Sequence, residues 1–371
     1  MDRGSLRGSK RIVVKVGTSS ITYPTGRINI GKMERLVREL SDLHNSGRSV
    51  ILTTSGAVGA GVGKLGRMPE NLPQKQAMAA VGQGILMQMY EKFFSEYSQS
   101  VAQLLLTRDC FSNPERYHNS RNALFALMEY GVIPIVNEND TVAVEELKFG
   151  DNDRLSAMVA CNADADLLII LSDIAGLYDA DPRRNPNARL IREVSVITPE
   201  IEANSTTRGS NMSSGGMATK LGAARITMAA GIPMVIASSD EPDVLRRIAD
   251  GEDLGTCFIP HREGYTARRQ WLAVGSAPAG TVTVDGGAER AILHQGGSLL
   301  PSGVLRVEGD FPAGSVVSIR SAEGREVARG ISSYASDDAR RILGRRSNEI
   351  AGILGVCDFE ELVHRNNMAL V

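Results

Sequence analysis

Hydrophobic residues in the first 260 positions alternate between two patterns. Short runs rich in β-branched residues, such as residues 11–16, are typical of buried strands. Longer segments, such as residues 30–43, repeat apolar residues at helical spacing, and Gly47 ends the first of these helices. Further strands are predicted at 49–53, 101–107, 132–136, 167–171 and 233–237, and further helices at 74–97, 119–130, 152–163, 219–230 and 241–250. This alternation predicts a mostly parallel, doubly wound α/β sheet with helices on both faces.

The pattern changes after about residue 260, where a charged segment carries the only tryptophan of the chain. Short alternating runs separated by glycine turns follow at 281–285, 291–293, 303–307, 315–320 and 326–330, and a terminal helix is predicted at 340–354. Such runs are typical of a small all-β module. We therefore predict an α/β domain over residues 1–265, a linker over 266–278 and a small β-barrel domain over 279–371.

Composition and charge narrow the class of protein further. The chain carries 41 basic and 43 acidic residues, a net charge of −2, whereas a dedicated nucleic-acid binder usually carries a basic surplus. No apolar run is long enough to span a membrane, and the polar start lacks the apolar core of a signal peptide. Four widely spaced cysteines predict neither a zinc site nor a disulfide framework. These features indicate a soluble protein of a reducing cytoplasm.

Polar clusters follow four of the predicted strands. They are residues 17–19, 53–56, 137–140 and 172–173. Ligands of open α/β sheets bind outside the carboxyl ends of the strands, which meet at one edge of a parallel sheet. One polar cluster would be ordinary loop chemistry, but four at one edge predict a ligand site.

Two lysines mark this edge as a site for an anion. Lys15 lies inside a strand predicted to be buried, where a lysine is costly unless it is paired or used; an edge strand that turns Lys15 to water is the alternative. It precedes Gly17 and Thr18, whose backbone and hydroxyl can approach a phosphate. Lys220 ends the glycine-rich segment 213–220, which opens a helix, so this segment is a second anion site or an ordinary capped loop.

Two better-known phosphate motifs fail on their details. Residues 61–66 fit GxGxxG, but they do not directly follow the strand, and no acidic residue lies about twenty positions later. Gly63-Lys64 resembles the end of a Walker A loop, but Val58 and Leu65 stand where that loop needs glycine and a hydroxyl residue. We interpret residues 56–66 as a tightly packed turn and helix start, which argues against a P-loop and a dinucleotide fold.

Carboxylates and amides are concentrated in two neighbouring stretches, residues 137–140 (NEND) and 151–153 (DND). A helix cap would explain one aspartate of the second stretch but not the whole set. Beside two lysines, these groups suggest a site for a zwitterion and a metal–nucleotide complex. Mg²⁺ typically takes few protein ligands in addition to phosphate oxygens, so a dense cage of carboxylates is not required.

The motifs together closely resemble the glutamate 5-kinase branch of the amino acid kinase family. The matching segments span the first domain in order: IVVKVGTSSI, TTSGAVGAG, PIVNENDTVA, FGDNDRLSA, LSDIAGLYDADPR and GGMATKLGAA. The tail segments GGSLLPSGV, VARGISSY and EIAGILG resemble a PUA domain. NEND and FGDND together distinguish this branch from carbamate, aspartate and uridylate kinases.

The resemblance implies a reaction and a set of roles. The reaction is the ATP-dependent phosphorylation of the γ-carboxylate of L-glutamate to L-glutamyl 5-phosphate, the first step of proline biosynthesis, with Mg²⁺ held mainly by the ATP phosphates. The implied catalytic residues are Lys15, Lys220 and Asp153, with Asp153 holding the two lysines in place. The implied glutamate ligands are Ser55, Asn137, Asp140, Asp151 and Asn152. The implied nucleotide site consists of Lys15, Gly17, Thr18, Ser172, Asp173, Ser214, Gly215, Gly216, Met217, Ala218, Thr219 and Lys220.

Other properties also follow from the resemblance alone. It implies a homo-oligomer (a dimer or a tetramer), feedback inhibition by proline, and glutamate-5-semialdehyde dehydrogenase as a functional partner. The chain departs from the family pattern in two places: Ser172 stands where threonine is common, and Ser213-Ser214 stands where a Gly-Thr pair is common. The hydroxyl groups survive, so the chemistry is expected to be retained with an altered nucleotide affinity.

Three alternatives remain open from the residues. An N-acetylglutamate-type kinase would not need the carboxylate of Asp140 for a free ammonium group. An RNA-binding regulator would use the tail, which has no lysine and a net charge of −2, but which carries arginines at 340, 341, 345 and 346. An inactive scaffold is the third alternative, and the intact Lys15, Lys220 and Asp153 argue against it.

Overall fold

The structure, a computed structural model, describes residues 3–143, 152–182, 185–204, 216–260, 278–355 and 359–370. The chain divides into two compact units. The first comprises Met1–Arg108 and Arg121–Gly264, and the second comprises Asp109–Ser120 and Tyr265–Val371. Residues 266–277 of the predicted linker lie outside the described residues, so the linker stays a prediction. No helix in the described ranges has the length and apolarity to cross a membrane.

An eight-stranded sheet organises the first unit, in the order β3-β4-β2-β1-β5-β7-β8-β6. Its strands are β1 Arg11–Val16, β2 Ser49–Thr53, β3 Val101–Leu106, β4 Ile133–Glu138, β5 Leu167–Ser172, β6 Glu193–Val194, β7 Met234–Ser238 and β8 Thr256–Phe258. The strands from β3 to β7 in this order run parallel, and β8 pairs antiparallel with β7. The prediction of a mostly parallel sheet is therefore confirmed.

Helices follow the strands of this unit and pack on its sheet. They are Thr18–Ile21, Ile30–Asn45, Ala57–Leu65, Leu72–Ser95, the part of Pro114–Glu129 from Arg121 onwards, Asn152–Asn162, Pro199–Asn204, Met217–Ala229 and Val244–Ala249. The central strands are buried along almost their whole length, as in residues 12–14 of β1 and all of β5. Continuous apolar runs of this kind are what a parallel strand covered on both faces requires.

One helix begins earlier than its pattern predicts. The helix predicted at 119–130 spans Pro114–Glu129, because Asn113 accepts a hydrogen bond from Arg116 N through its side chain and proline occupies the first helical position. The polar residues of this first turn carry no apolar periodicity, so the sequence pattern placed the start too late.

Two glycines bring the helices Ala57–Leu65 and Leu72–Ser95 together backbone to backbone. A Cβ atom on Gly82 would lie 1.7 Å from the carbonyl oxygen of Ala57, and one on Gly61 would lie 2.0 Å from that of Met78. Gly56 precedes the first helix with a φ of 101°, in the left-handed region. The interpretation of residues 56–66 as a packed turn and helix start is confirmed.

Gly82→Ala is therefore expected to destabilise the protein by about 1–3 kcal/mol, because the two helices must separate to admit a methyl group. The matched control is Gly84→Ala on the same helix, where an added Cβ meets nothing within 4 Å. That control is expected to be neutral or to stabilise by up to about 1 kcal/mol, since alanine favours a helix over glycine. Urea unfolding midpoints measure both variants, and equal midpoints would contradict the backbone contact.

The second unit has its own five-stranded sheet, in the order β10-β9-β11-β12-β13. Its strands are β9 Gly280–Val284, β10 Val304–Glu308, β11 Val316–Arg320, β12 Glu326–Ile331 and β13 Met368–Leu370. They pack around a separate apolar core that includes Val282, Val317 and Ile319. The described helices of this unit are Asp109–Ser112, the part of Pro114–Glu129 up to Ser120, Gly286–Gln295, Ser336–Arg341 and Ile350–Leu354.

Two predicted elements of this unit are wrong. Residues 291–293 lie in the helix Gly286–Gln295, which Asp285 caps by accepting hydrogen bonds from Gly287 N and Ala288 N; three apolar residues could not distinguish a helix from a strand. The predicted helix 340–354 is broken into Ser336–Arg341, a 3-10 turn at Ser347–Glu349 and Ile350–Leu354. Gly344, with a φ of 68°, interrupts it.

Candidate active site

The register of the central strands places the four polar clusters at one level. Lys15 of β1 pairs with Thr53 of β2 on one side and with Ile170 of β5 on the other. Thr53 in turn pairs with Val136 of β4. Residues 17–19, 53–56, 137–140 and 172–173 therefore lie at the carboxyl ends of these four strands, as the sequence predicted.

A buried cluster of three charges lies at this edge. Lys15 Nζ is 2.7 Å from Asp153 Oδ1, and Lys220 Nζ is 3.2 Å from Asp153 Oδ2. Thr219 Oγ1 also donates a hydrogen bond to Asp153 Oδ2 at 2.7 Å. Only 6% of each lysine and 1% of Asp153 is exposed to solvent. We call these three charged residues the Lys–Asp–Lys cluster.

Three separate elements position the cluster. Lys15 is on β1, which lies inside the sheet between β2 and β5, so the edge-strand alternative for Lys15 is wrong. Asp153 is the second residue of the helix Asn152–Asn162. Lys220 is in the first turn of the helix Met217–Ala229, which begins after Gly216 as the glycine-rich segment predicted. The parallel fold thus brings Lys220 to Asp153, which lies 67 positions earlier in the chain.

The electrostatics of the cluster favour an anionic ligand. Burial raises the pKa of a carboxyl, but Lys15 and Lys220 hold the pKa of Asp153 well below its usual range, so this carboxylate is ionised. The cluster thus holds two lysines around one ionised carboxylate. N–H donors fixed at one place in this way can stabilise negative charge on a bound ligand.

A network of amides lies beside the cluster, at the ends of β2 and β4. Asn152 Nδ2 lies within hydrogen-bonding distance of Thr54 O at 2.7 Å, Ser55 Oγ at 2.9 Å and Asn137 Oδ1 at 2.8 Å. Asn137 Nδ2 donates to Gln83 Oε1 at 2.7 Å. The structure thus brings together the predicted residues Ser55, Asn137 and Asn152.

Gln83 and Tyr90 join this network but were not predicted, whereas Thr54, which also joins it, lies in the predicted cluster 53–56. The buried Tyr90 hydroxyl and Thr54 Oγ1 are 2.7 Å apart, and burial raises the pKa of Tyr90. Gln83 and Tyr90 are seven residues apart on the helix Leu72–Ser95, so they share one face. Two polar residues on the buried face of a helix were the available signal, and the prediction did not use it.

The remaining predicted residues lie around the same edge. Gly17 and Thr18 directly follow β1, and a Cβ on Gly17 would be 3.7 Å from Lys15 Nζ. Ser172 ends β5, and its hydroxyl lies 3.2 Å from Asp173 Oδ1. The half-buried Asp140 follows β4. The helix that carries Lys220 begins with Met217, Ala218 and Thr219, and Gly216 directly precedes it. Asp151, Ser214 and Gly215 lie outside the described residues.

Comparison with known proteins gives the following similarities. The profile of the amino acid kinase family matches residues 10–238, and that of the PUA domain matches residues 280–354. Glutamate 5-kinase of Moorella thermoacetica is 52% identical over 371 residues, which are 100% of this chain and 98% of that protein. Glutamate 5-kinase of Carboxydothermus hydrogenoformans is 52% identical over 372 residues, which are 100% of this chain and 100% of that protein. Among solved structures, carbamate kinase of Giardia lamblia is 19% identical, with a TM-score of 0.49, covering 69% of this chain and 100% of that one.

Proposed function

Since the chain belongs to the amino acid kinase family, we propose that it transfers the γ-phosphoryl group of ATP to the γ-carboxylate of L-glutamate. The products are L-glutamyl 5-phosphate and ADP, and the reaction is the first step of proline biosynthesis. Relatives named glutamate 5-kinase that are 52% identical over the whole chain support this function. The structural observation that carries it is the Lys–Asp–Lys cluster.

The cluster suits the stabilisation of a transferring phosphoryl group. Lys15 and Lys220 approach one carboxylate from opposite oxygens, so Asp153 holds both ammonium groups at one place beyond the strand ends. Phosphoryl transfer depends mainly on positioning and on stabilising charge at the phosphoryl oxygens. Held by one carboxylate, the two lysines can present N–H donors to the phosphate oxygens at one place. This arrangement supports the catalytic roles that we propose for these three residues.

The acceptor needs no general base. The γ-carboxylate of glutamate is ionised at neutral pH and attacks as it is. The protein has to hold it in line with the γ-phosphate and to exclude competing water. We assign this holding to Ser55, Asn137, Asp140, Asp151 and Asn152.

The nucleotide lies on the other side of the cluster in this proposal. Its phosphates would meet Lys15, Gly17, Thr18 and residues 214–220, with Ser172 and Asp173 beside them. The N-terminus of a helix supplies unpaired N–H groups and a partial positive charge, both of which favour a phosphate.

Mg²⁺ would enter this site with the nucleotide. The described residues contain no group of three or more His, Cys, Asp or Glu side chains able to hold a metal, and both oxygens of Asp153 already contact lysines. This donor set fits an ion whose ligands are mainly phosphate oxygens and water, as is usual for Mg²⁺. When bound, the ion would neutralise charge on the phosphates.

An ADP-release assay with a panel of acceptors tests the proposed function. L-glutamate, N-acetyl-L-glutamate, L-aspartate and UMP are each offered with MgATP to the full-length protein. We expect ADP release with L-glutamate to exceed that with the other acceptors by at least tenfold. Preferential use of N-acetyl-L-glutamate, or no release above the rate of ATP hydrolysis alone, would contradict the proposal.

Asp140→Asn is expected to raise the KM for glutamate about tenfold or more. A carboxylate facing the α-ammonium group gains a charge-assisted hydrogen bond of about 1.5–3 kcal/mol, and about 1.4 kcal/mol corresponds to a factor of ten. The KM for ATP should change little. Steady-state kinetics in both substrates measure this, and an unchanged KM for glutamate with a raised KM for ATP would move Asp140 to the nucleotide site.

Three further properties belong to the same proposal. The product is an acyl phosphate, a reactive mixed anhydride, which favours a partner enzyme that consumes it directly, glutamate-5-semialdehyde dehydrogenase. We place the reaction in the cytoplasm, where ATP and glutamate are available. We also propose that the protein forms a homo-oligomer, either a dimer or a tetramer.

A further inference from the structure

Gln83 carries a buried hydrogen-bond donor beside the proposed amino-acid site. It follows Gly82, the residue at which its helix touches the backbone of Ala57, so its position is fixed by close packing. Only 9% of Gln83 is exposed. Its Oε1 accepts a hydrogen bond from Asn137, whereas its Nε2 has no partner among the described residues. Buried amide donors are nearly always paired, so this Nε2 points to an acceptor on a ligand.

The neighbours of Gln83 also offer hydrogens rather than lone pairs. Asn137 Oδ1 already accepts from Asn152 Nδ2 at 2.8 Å and from Glu138 N at 2.9 Å. Ser55 Oγ lies 2.9 Å from Asn152 Nδ2, an amide nitrogen that cannot accept a hydrogen bond, so the hydroxyl hydrogen of Ser55 can be donated elsewhere. Ser55 and Asn152 are partly exposed, so the network opens to the space beyond the strand ends. The amide of Gln83 and the hydroxyl of Ser55 are two donors that fit the oxygens of a carboxylate.

The strand order indicates which of the two carboxylates of glutamate would accept the hydrogen bond from Gln83. Gln83 holds Asn137 at the end of β4, and the order β4-β2-β1 places β4 two strands away from Lys15. Neighbouring strands lie about 4.8 Å apart, so the separation is about 10 Å. The γ-carboxylate must meet the phosphoryl group at the Lys–Asp–Lys cluster. The donors near β4 therefore face the other end of the amino acid.

We propose that Gln83 Nε2 donates a hydrogen bond to the α-carboxylate of the substrate and thereby selects for a free α-acid. This inference rests on the proposed function, because the substrate it names is L-glutamate. Gln83 also orients Asn137 through Oε1, so the experiment has to separate the two uses of one side chain.

Gln83→Glu separates them. The substituted carboxylate still offers an oxygen to Asn137 Nδ2, but it replaces the Nε2 donor by a second, negatively charged oxygen. The substrates compared are L-glutamate and its α-amide, L-isoglutamine, which keeps the γ-carboxylate and the ammonium group. The matched control is Gln88→Glu, which makes the same change of charge at an exposed position of the same helix.

The measurement is kcat/KM for both substrates in the wild-type protein and in both variants. We expect Gln83→Glu to lower the ratio of kcat/KM for glutamate to that for isoglutamine at least tenfold, because a carboxylate repels the α-acid and accepts from the α-amide. Gln88→Glu should leave the ratio within about twofold. The KM for ATP should stay within about twofold in each protein.

The outcomes are distinguishable. A parallel fall for both substrates, or no change in the ratio in a protein that unfolds at the wild-type temperature, would overturn the role of Gln83 while leaving the proposed function intact. No turnover of L-glutamate by the wild-type protein would overturn the proposed function and, with it, the substrate named here.

Discussion

Lys15→Met should lower kcat by at least a hundredfold at saturating ATP and glutamate while leaving the protein folded. The ammonium group of Lys15 lies at the proposed phosphoryl position, and removing one donor from such a site typically costs about 10²–10³ in kcat. The loss should fall on kcat more than on the KM for glutamate, because charge develops on the phosphoryl oxygens in the transition state.

The fold is expected to survive this change because of the charge balance. Without Lys15, the buried cluster contains Asp153 and Lys220, a neutral pair 3.2 Å apart, and methionine fills the space of the lysine stem. The matched control is Lys10→Met, at the exposed residue that precedes β1 at the opposite end of that strand. Its kcat should stay within about twofold of wild type. A folded Lys15→Met protein with a near wild-type kcat would contradict the phosphate role.

The lysines could be predicted from the sequence because each is out of place locally. Lys15 interrupts a run of β-branched residues, and Lys220 places a cation in the first helical turn, where the helix dipole disfavours it. A local violation of this kind indicates either a partner or a function, and it can be read without the fold. The structure then shows both lysines paired with one carboxylate.

For Gln83 and Tyr90, polar residues on a buried helix face, the sequence signal marks the residues but does not identify their partners. Their partners, Asn137 and Thr54, lie 54 and 36 residues away in the chain. What brings them to the site is the close crossing of two helices at Gly61 and Gly82, which no local pattern specifies. The strand order could not be predicted either. Alternation of strands and helices along the chain predicts a parallel sheet, but it does not specify that β1 lies between β2 and β5.

Asp153→Asn should destabilise the protein by about 3–5 kcal/mol and abolish most activity. Removing the carboxylate leaves two buried ammonium groups without their shared counter-charge, which is the costly way to break a buried ion pair. Asparagine keeps the size of the side chain, so packing alone would predict a much smaller loss. Urea unfolding at pH 7 measures the difference in the free energy of unfolding.

A double variant tests the cause. If repulsion between the two lysines is responsible, Lys15→Met combined with Asp153→Asn should be more stable than Asp153→Asn by about 1 kcal/mol or more, since contacting charged residues couple by up to about 3 kcal/mol. Additive losses would instead indicate that the aspartate stabilises the helix Asn152–Asn162 through local contacts. Ser156 Oγ donates to the backbone oxygen of Asp153, so that contact is retained in every variant.

The destabilisation caused by Asp153→Asn should also depend on pH in one direction. Burial raises the pKa of a carboxyl, but Lys15 and Lys220 hold that of Asp153 below its value in the unfolded chain, about 3.9. A carboxylate whose pKa is lowered by folding contributes its full stabilisation above the unfolded pKa and loses it as the pH falls towards the folded pKa. The stability difference between wild type and Asp153→Asn should therefore be constant near neutrality and shrink below about pH 4. A difference that grew on acidification would mean that the two lysines do not stabilise the ionised form of Asp153.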